Sequence, residues 1–188
     1  MVFVKSYDFM PFNKNEILLY AKSNKNDQDT IKIIDECITE LKDKLVYNVC
    51  YCIENVKIQN NQCYIGELLF QSTSLSDNLD GCNKAVIFAS TIGIELDRLI
   101  NKYSYISPLK ALIFQAIGTQ QIDALCNTFC SEFNWHNSRF SAGYGDLKIE
   151  YQKDILNLLD CNRKIGLTLN DSLIMSPSKS VTAIMGIK

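Results

Sequence analysis

From Thr30 onward apolar residues fall at Ile31, Ile34, Ile38, Leu41 and Leu45, steps of three and four on an otherwise charged stretch. That is the stripe of an amphipathic helix. Ahead of it, Asn13 to Tyr20 reads as a short helix. The pattern then changes. Val46 to Ile53 is β-branched, aromatic and cysteine-rich, and Val56-Lys-Ile-Gln and Gln62-Cys-Tyr-Ile-Gly follow across Asn60-Asn61. Asparagine tolerates positive φ, so these two runs predict a hairpin. Residues 71–83 are polar, with capping and turn types, and predict a loop or short helix between two halves of the chain. Lys84 to Thr91 is a compact apolar run suited to a buried strand, and Ile92 to Ile100 returns to helical spacing around Gly93. A strand, a glycine and a helix can cradle phosphate, but a single glycine is more simply a close-packed turn.

Ser107-Pro108 puts a capping hydroxyl before a proline at the first helical position, and predicts a long helix to about Phe133. Its expected inward face is Leu109, Leu112, Ile113, Ala116, Ile117, Leu125 and Phe129, with Gly118 as a close-contact point or bend. Glu150 to Leu159 predicts another helix. Leu173 to Met175 and Ser180 to Ile187 predict two strands around a Ser-Pro-Ser-Lys turn. One hairpin and no regular strand–helix alternation favour an α+β fold with a mixed, largely antiparallel sheet and flanking helices over a doubly wound one.

Length and composition narrow the class. The 188 residues suit one domain over 1–188, with 47% apolar and 21% charged residues as in ordinary globular proteins. A net charge of -2 without a basic cluster argues against a nucleic-acid partner. The longest apolar runs fall far short of the roughly 20 residues that cross a bilayer, and MVFVKSYDFMPF lacks the features of an export signal. A cytoplasmic protein without a membrane partner is expected. The eight cysteines (37, 50, 52, 63, 82, 126, 130 and 161) then read as reduced, buried hydrophobes. Cys50 and Cys52 share a strand face and Cys126 and Cys130 a helix face, but no C-x-x-C pair exists and His136 is the sole histidine. No metal site is expected. Phe133 stands where the third thiolate of a C-x-x-x-C-x-x-C radical-enzyme signature belongs, which removes that reading. No G-x-G-x-x-G, phosphate loop or H-E-x-x-H occurs.

Residues 138–146, S-R-F-S-A-G-Y-G-D, carry the most chemistry. Gly143 and Gly145 allow close backbone approach, Arg139 offers a planar fork for a carboxylate, and Tyr144 offers a ring face and a hydroxyl. Together they suit a small zwitterion with a carboxylate and a cationic centre. An ordinary glycine turn with a surface arginine is the plainer alternative.

Arg139-Phe-Ser-Ala-Gly143-Tyr144, a following helix, and Ile165-Gly-Leu-Thr-Leu-Asn170-Asp-Ser-Leu-Ile-Met175-Ser-Pro177-Ser-Lys-Ser180-Val181 together resemble the activation domain of vitamin B12-dependent methionine synthase. The likeness is strongest over residues 139–185. Thr91-Ile-Gly93 and the helix from Pro108 extend it back to about residue 85, so 84–188 is the part most similar, and 1–70 matches the front end of short free-standing relatives. The resemblance implies an α+β domain that binds S-adenosylmethionine and supports reductive remethylation of cobalamin, the electron coming from a donor such as a flavodoxin or ferredoxin. It implies cofactor-binding roles for Arg139 on the carboxylate, Ser141 and Gly143 on the amino-acid or ribose part, Tyr144 on the pocket wall and Asp123 on the α-ammonium; no catalytic residue is implied. Met185 replaces an aromatic residue of the family, and the turn after Gly143-Tyr144 is shorter. The cobalamin motif Asp-x-His-x-x-Gly is missing around His136, so cobalamin is expected only through a partner, a methionine synthase lacking this domain. Alternatives are a docking or regulatory partner of a corrinoid protein that no longer binds the methyl donor, and an independent small-molecule methyltransferase.

Overall fold

The computed structural model describes residues 1–24, 27–59 and 62–188. In chain order the elements are β1 (Phe3–Tyr7), α1 (Lys14–Tyr20), α2 (Gln28–Leu41), β2 (Tyr47–Gln59), β3 (Gln62–Ile65), β4 (Leu68–Gln71), α3 (Thr73–Asn78), β5 (Lys84–Thr91), α4 (Glu95–Ile106), α5 (Pro108–Cys130), α6 (Tyr151–Leu159), α7 (Cys161–Ile165), β6 (Thr168–Leu169), β7 (Met175–Ser176) and β8 (Ser180–Ile187). The main sheet runs β4-β3-β2-β5-β8, and β1 shares the β3 edge of β2. Every pairing is antiparallel: β2 meets β5 from Asn48↔Thr91 to Asn55↔Lys84, and β5 meets β8 from Lys84↔Ile187 to Thr91↔Ser180. The α+β architecture expected from the sequence is the one observed.

The sheet buries both faces, and β5 shows why its run is apolar throughout. Val86 and Phe88 point into one core with α1, α2, α4 and α5, where Ile17, Ile34, Ile113, Ile117 and Phe129 are buried. Ala85, Ile87 and Ala89 point into a second core with Leu75 of α3 and with Ile155, Leu159 and Cys161 of α6 and α7. Local signals set the helix starts. Asn13 accepts from the amides of Asn15 and Glu16, Asp27 from Thr30, Ser72 from Leu75 and Ser107 from Lys110.

Several expectations change. The two runs on either side of residue 54 are one thirteen-residue strand, β2. Asn60-Asn61 lies outside the described residues, although Gln59↔Gln62 pairing on its flanks has the antiparallel sense. The helix expected over 92–100 begins at Glu95. Leu109 and Leu112 are about half exposed rather than inward. The first turns of α5 are apolar on more than one side, so spacing alone does not choose a face; packing against its neighbours selects Ala111, Ile113, Phe114, Ala116 and Ile117. Of the strands expected around Pro177, the second is β8, whereas the first is reduced to Met175–Ser176 because Leu173, at φ +61°, lies in a turn; the two do not pair with each other, since β7 pairs with β6 (Leu169↔Met175) and β8 joins the main sheet. β1 carried no sequence signal of its own.

Candidate functional site

The 138–146 segment closes the free edge of the sheet. His136 donates its amide to Gly186 O, and Phe140 and Ile184 exchange both backbone hydrogen bonds, at 2.9 and 2.8 Å. This pairing places Phe140 on the α3/α6 side with Ile184 and leaves Arg139 against α5. The chain then turns. Tyr144 N donates to Ser141 O, and Gly143 N donates to Leu147 O at 2.8 Å. Asp146 reaches α3, accepting from the Ser72 hydroxyl and from the amides of Thr73 (2.8 Å) and Ser74 (3.1 Å). Gly145 makes that docking possible, because at φ +53° a Cβ would stand 2.6 Å from Ser74 Oγ.

Arg139 and Asp123, 16 residues apart in sequence and on different elements, face each other with Nη2 3.9 Å from Oδ1. That distance is an ion pair too long for a hydrogen bond. Tyr20, the last residue of α1, donates its hydroxyl to Asp123 Oδ2 at 2.9 Å, and the nearby carboxylate raises the tyrosine's pKa. Arg139 Nη1 is buried without a hydrogen-bond partner. The guanidinium also lies against Cys126 and Cys130. Burial raises both thiols, Cys130 to about 11, and the arginine charge opposes that rise. A cavity of about 310 Å³ opens here, lined by Arg139, Cys130, Trp135, Ser138, Asn127 and Ser131. A buried, unpartnered guanidinium nitrogen is costly unless an anion reaches it. A carboxylate at Arg139 and an ammonium at Asp123 would fit this arrangement.

Of the expected site residues the fold therefore brings Arg139 and Asp123 together. Asp123 faces Arg139 but does not line the Arg139 cavity, and Ser141, Gly143 and Tyr144 of the adjoining turn do not line it either. The Gly143 amide is taken by Leu147, the Ser141 hydroxyl makes no hydrogen bond among the described residues, and Tyr144 is 61% exposed, its ring in a T-shaped contact with Phe140. Met185 is fully buried on β8. Sequence reading missed Tyr20, since nothing in the spacing of residues 13–20 relates them to residue 123. It also missed Lys179, half-buried and bonded to Thr119 Oγ1 at 3.0 Å, whose pKa burial lowers although Asp97 and Asp123 are near.

These features define an α+β module with a curled antiparallel sheet, helices on both faces and a charged notch at the β8 edge. A crystal structure of the MetH reactivation domain bound to AdoHcy has the same fold, with a TM-score of 0.70 over 99% of this chain and 78% of that one, at 12% sequence identity. No family model and no curated protein matches the sequence. Among the described residues no helix is long and apolar enough to cross a membrane.

Proposed function

We propose that this chain is an S-adenosylmethionine-binding reactivation module, working in the cytoplasm on the cobalamin of a separate B12-dependent methyltransferase, a methionine synthase without its own activation domain. Arg139 carries the reading: its buried Nη1 has no partner and its other face meets Asp123, a charge pair matched to the carboxylate and ammonium of an amino acid. The shared fold with a domain that binds AdoHcy supports it. In this reading Arg139 orients the carboxylate, Asp123 with Tyr20 behind it takes the ammonium, Ser141 and Gly143 border the ribose, and Tyr144 offers an exposed ring to the sulfonium side. Bound donor supplies an electrophilic methyl group. The chain contributes placement rather than acid–base chemistry, and an electron donor such as a flavodoxin or ferredoxin acts through the partner.

A docking protein that keeps the fold without the ligand is the second reading, favoured by the Gly143 amide being closed onto Leu147. Titration calorimetry with S-adenosylmethionine and AdoHcy separates the two. Saturable heat supports the module; none up to millimolar ligand supports the docking protein.

A further inference from the structure

Cys50 and Cys161 stand apart from the other six cysteines. Their sulfur atoms are 3.5 Å apart, on the central strand β2 and at the first residue of α7, and both side chains are buried in the second core. No other thiol–thiol contact occurs among the described residues; Cys126, for example, meets the Ser90 hydroxyl instead. Cys161, though buried, borders open space. Cys161 lines a cavity of about 450 Å³ walled by α6, α7 and the β6 strand, with Asn157, Asp160, Asn162 and Thr168 among its lining residues. Asp160, at φ +51°, joins the two short helices, so α7 is held by a single-residue corner that can rotate its first side chain.

We propose that Cys50 and Cys161 form a peroxide-sensitive dithiol that closes to an intramolecular disulfide between the sheet and α7. A disulfide needs sulfurs about 2.05 Å apart, and the observed contact requires only side-chain rotation and a small shift of α7. Hydrogen peroxide, small enough for the cavity, passes Cys161 to the Cys50 sulfur 3.5 Å behind it. The Cys50 sulfur takes one oxygen, giving a sulfenic acid, and water leaves. The Cys161 sulfur then attacks the Cys50 sulfur, the S–S bond forms and a second water departs. Two electrons have passed from the thiols to the peroxide, and a dithiol reductant restores them.

A hydrogen bond from Cys161, helped by the charge of Lys164, lowers the Cys50 thiol, and the same hydrogen bond raises the Cys161 thiol, so Cys50 is the nucleophile of the pair; burial raises Cys37, Cys52, Cys63, Cys82, Cys126 and Cys130. Peroxide should therefore select this pair. The link would close the long loop between residues 50 and 161 and fasten α7, one wall of the cavity, to β2.

The test uses the unaltered full chain. After exposure to hydrogen peroxide under native conditions, the protein is alkylated in denaturant, digested and mapped by mass spectrometry. The expected result is one dithiothreitol-reversible Cys50–Cys161 cross-link with the other six cysteines alkylated, and a Tm higher by at least about 5 °C, since a long closed loop is strongly restricted in the unfolded chain. Cys161→Ser should leave Cys50 oxidised without a cross-link. Alkylation of both cysteines after peroxide, or a cross-link involving any other pair, overturns the proposal. Because the mapping is done on the unaltered chain, a poorly folding variant does not affect the outcome.

Discussion

Arg139 and Asp146 lie seven positions apart in one polar segment, yet they do different work. Arg139 faces a cavity with one guanidinium nitrogen unpartnered, so Arg139→Ala should weaken S-adenosylmethionine binding by roughly 1.5–3 kcal/mol, the worth of a charge-assisted contact. Unchanged affinity in calorimetry would show the carboxylate held elsewhere. Tyr144→Phe keeps the ring and should change affinity little if only the ring face is used. Asp146 instead ties the segment to α3. Hydrogen bonds from the Ser72 hydroxyl and from the Thr73 and Ser74 amides hold its carboxyl well below the usual carboxylate range. Its folded value lies below the unfolded value near 3.9, so its contribution is complete at neutral pH and is lost as pH falls through the folded value. Asp146→Ala should lower Tm at pH 7, and the gap to the parent should narrow progressively below about pH 4. A gap independent of pH would assign the loss to packing. The sequence singled out Arg139 and not the docking of Asp146, since a cationic fork beside glycines is a local pattern and Asp146 finds its partners 72 to 74 residues away in the chain.

Among the elements, α4 and α5 approach closely, and Gly118 permits it. A Cβ there would stand 2.2 Å from Leu96 Cδ2 and 2.9 Å from Lys179 Cγ, and Leu96 is fully buried. Gly118→Ala brings a helix-propensity gain of about 1 kcal/mol against overpacking of about 1–3 kcal/mol. Net destabilisation in urea unfolding is expected; a more stable variant would mean that Leu96 repacks freely. The close-contact role of Gly118 was readable from a glycine in a long apolar helix. Which residues of that helix face inward was not, because Leu109 and Leu112 are as apolar as Ile113 and only the neighbours distinguish them. The proline turn teaches the same thing. Both strands were visible as apolar runs, but β7 is completed by Thr168–Leu169, a pair too short to carry a periodic signal.

At the scale of the molecule, the two parts suggested by the sequence are interleaved. β2, from the first part, forms a full edge with β5 from the second, and Tyr51 and Phe129 pack ring edge to face at 5.1 Å across them. A fragment of residues 84–188 would expose the β2 edge of β5 together with Val86 and Phe88. It should therefore lack cooperative thermal unfolding and fixed near-ultraviolet dichroism, while adding residues 1–83 in trans, which carry β2 and α3, should restore both. A cooperative, monomeric fragment would show that the second part folds without the first.

The sequence by itself determined the longer helices and central strands, the antiparallel α+β class and the segment rich in candidate chemistry, because hydrophobic period, capping residues and glycine–arginine clusters are local properties of the chain. Tertiary structure alone decided the rest: the face of α5, the partner of β7, Tyr20 behind Asp123, Arg139 against α5, and Cys50 touching Cys161. Those relations join residues far apart in the chain. They are settled by which surfaces exclude water and which buried polar atoms find partners once the sheet has closed, and no local spacing encodes that.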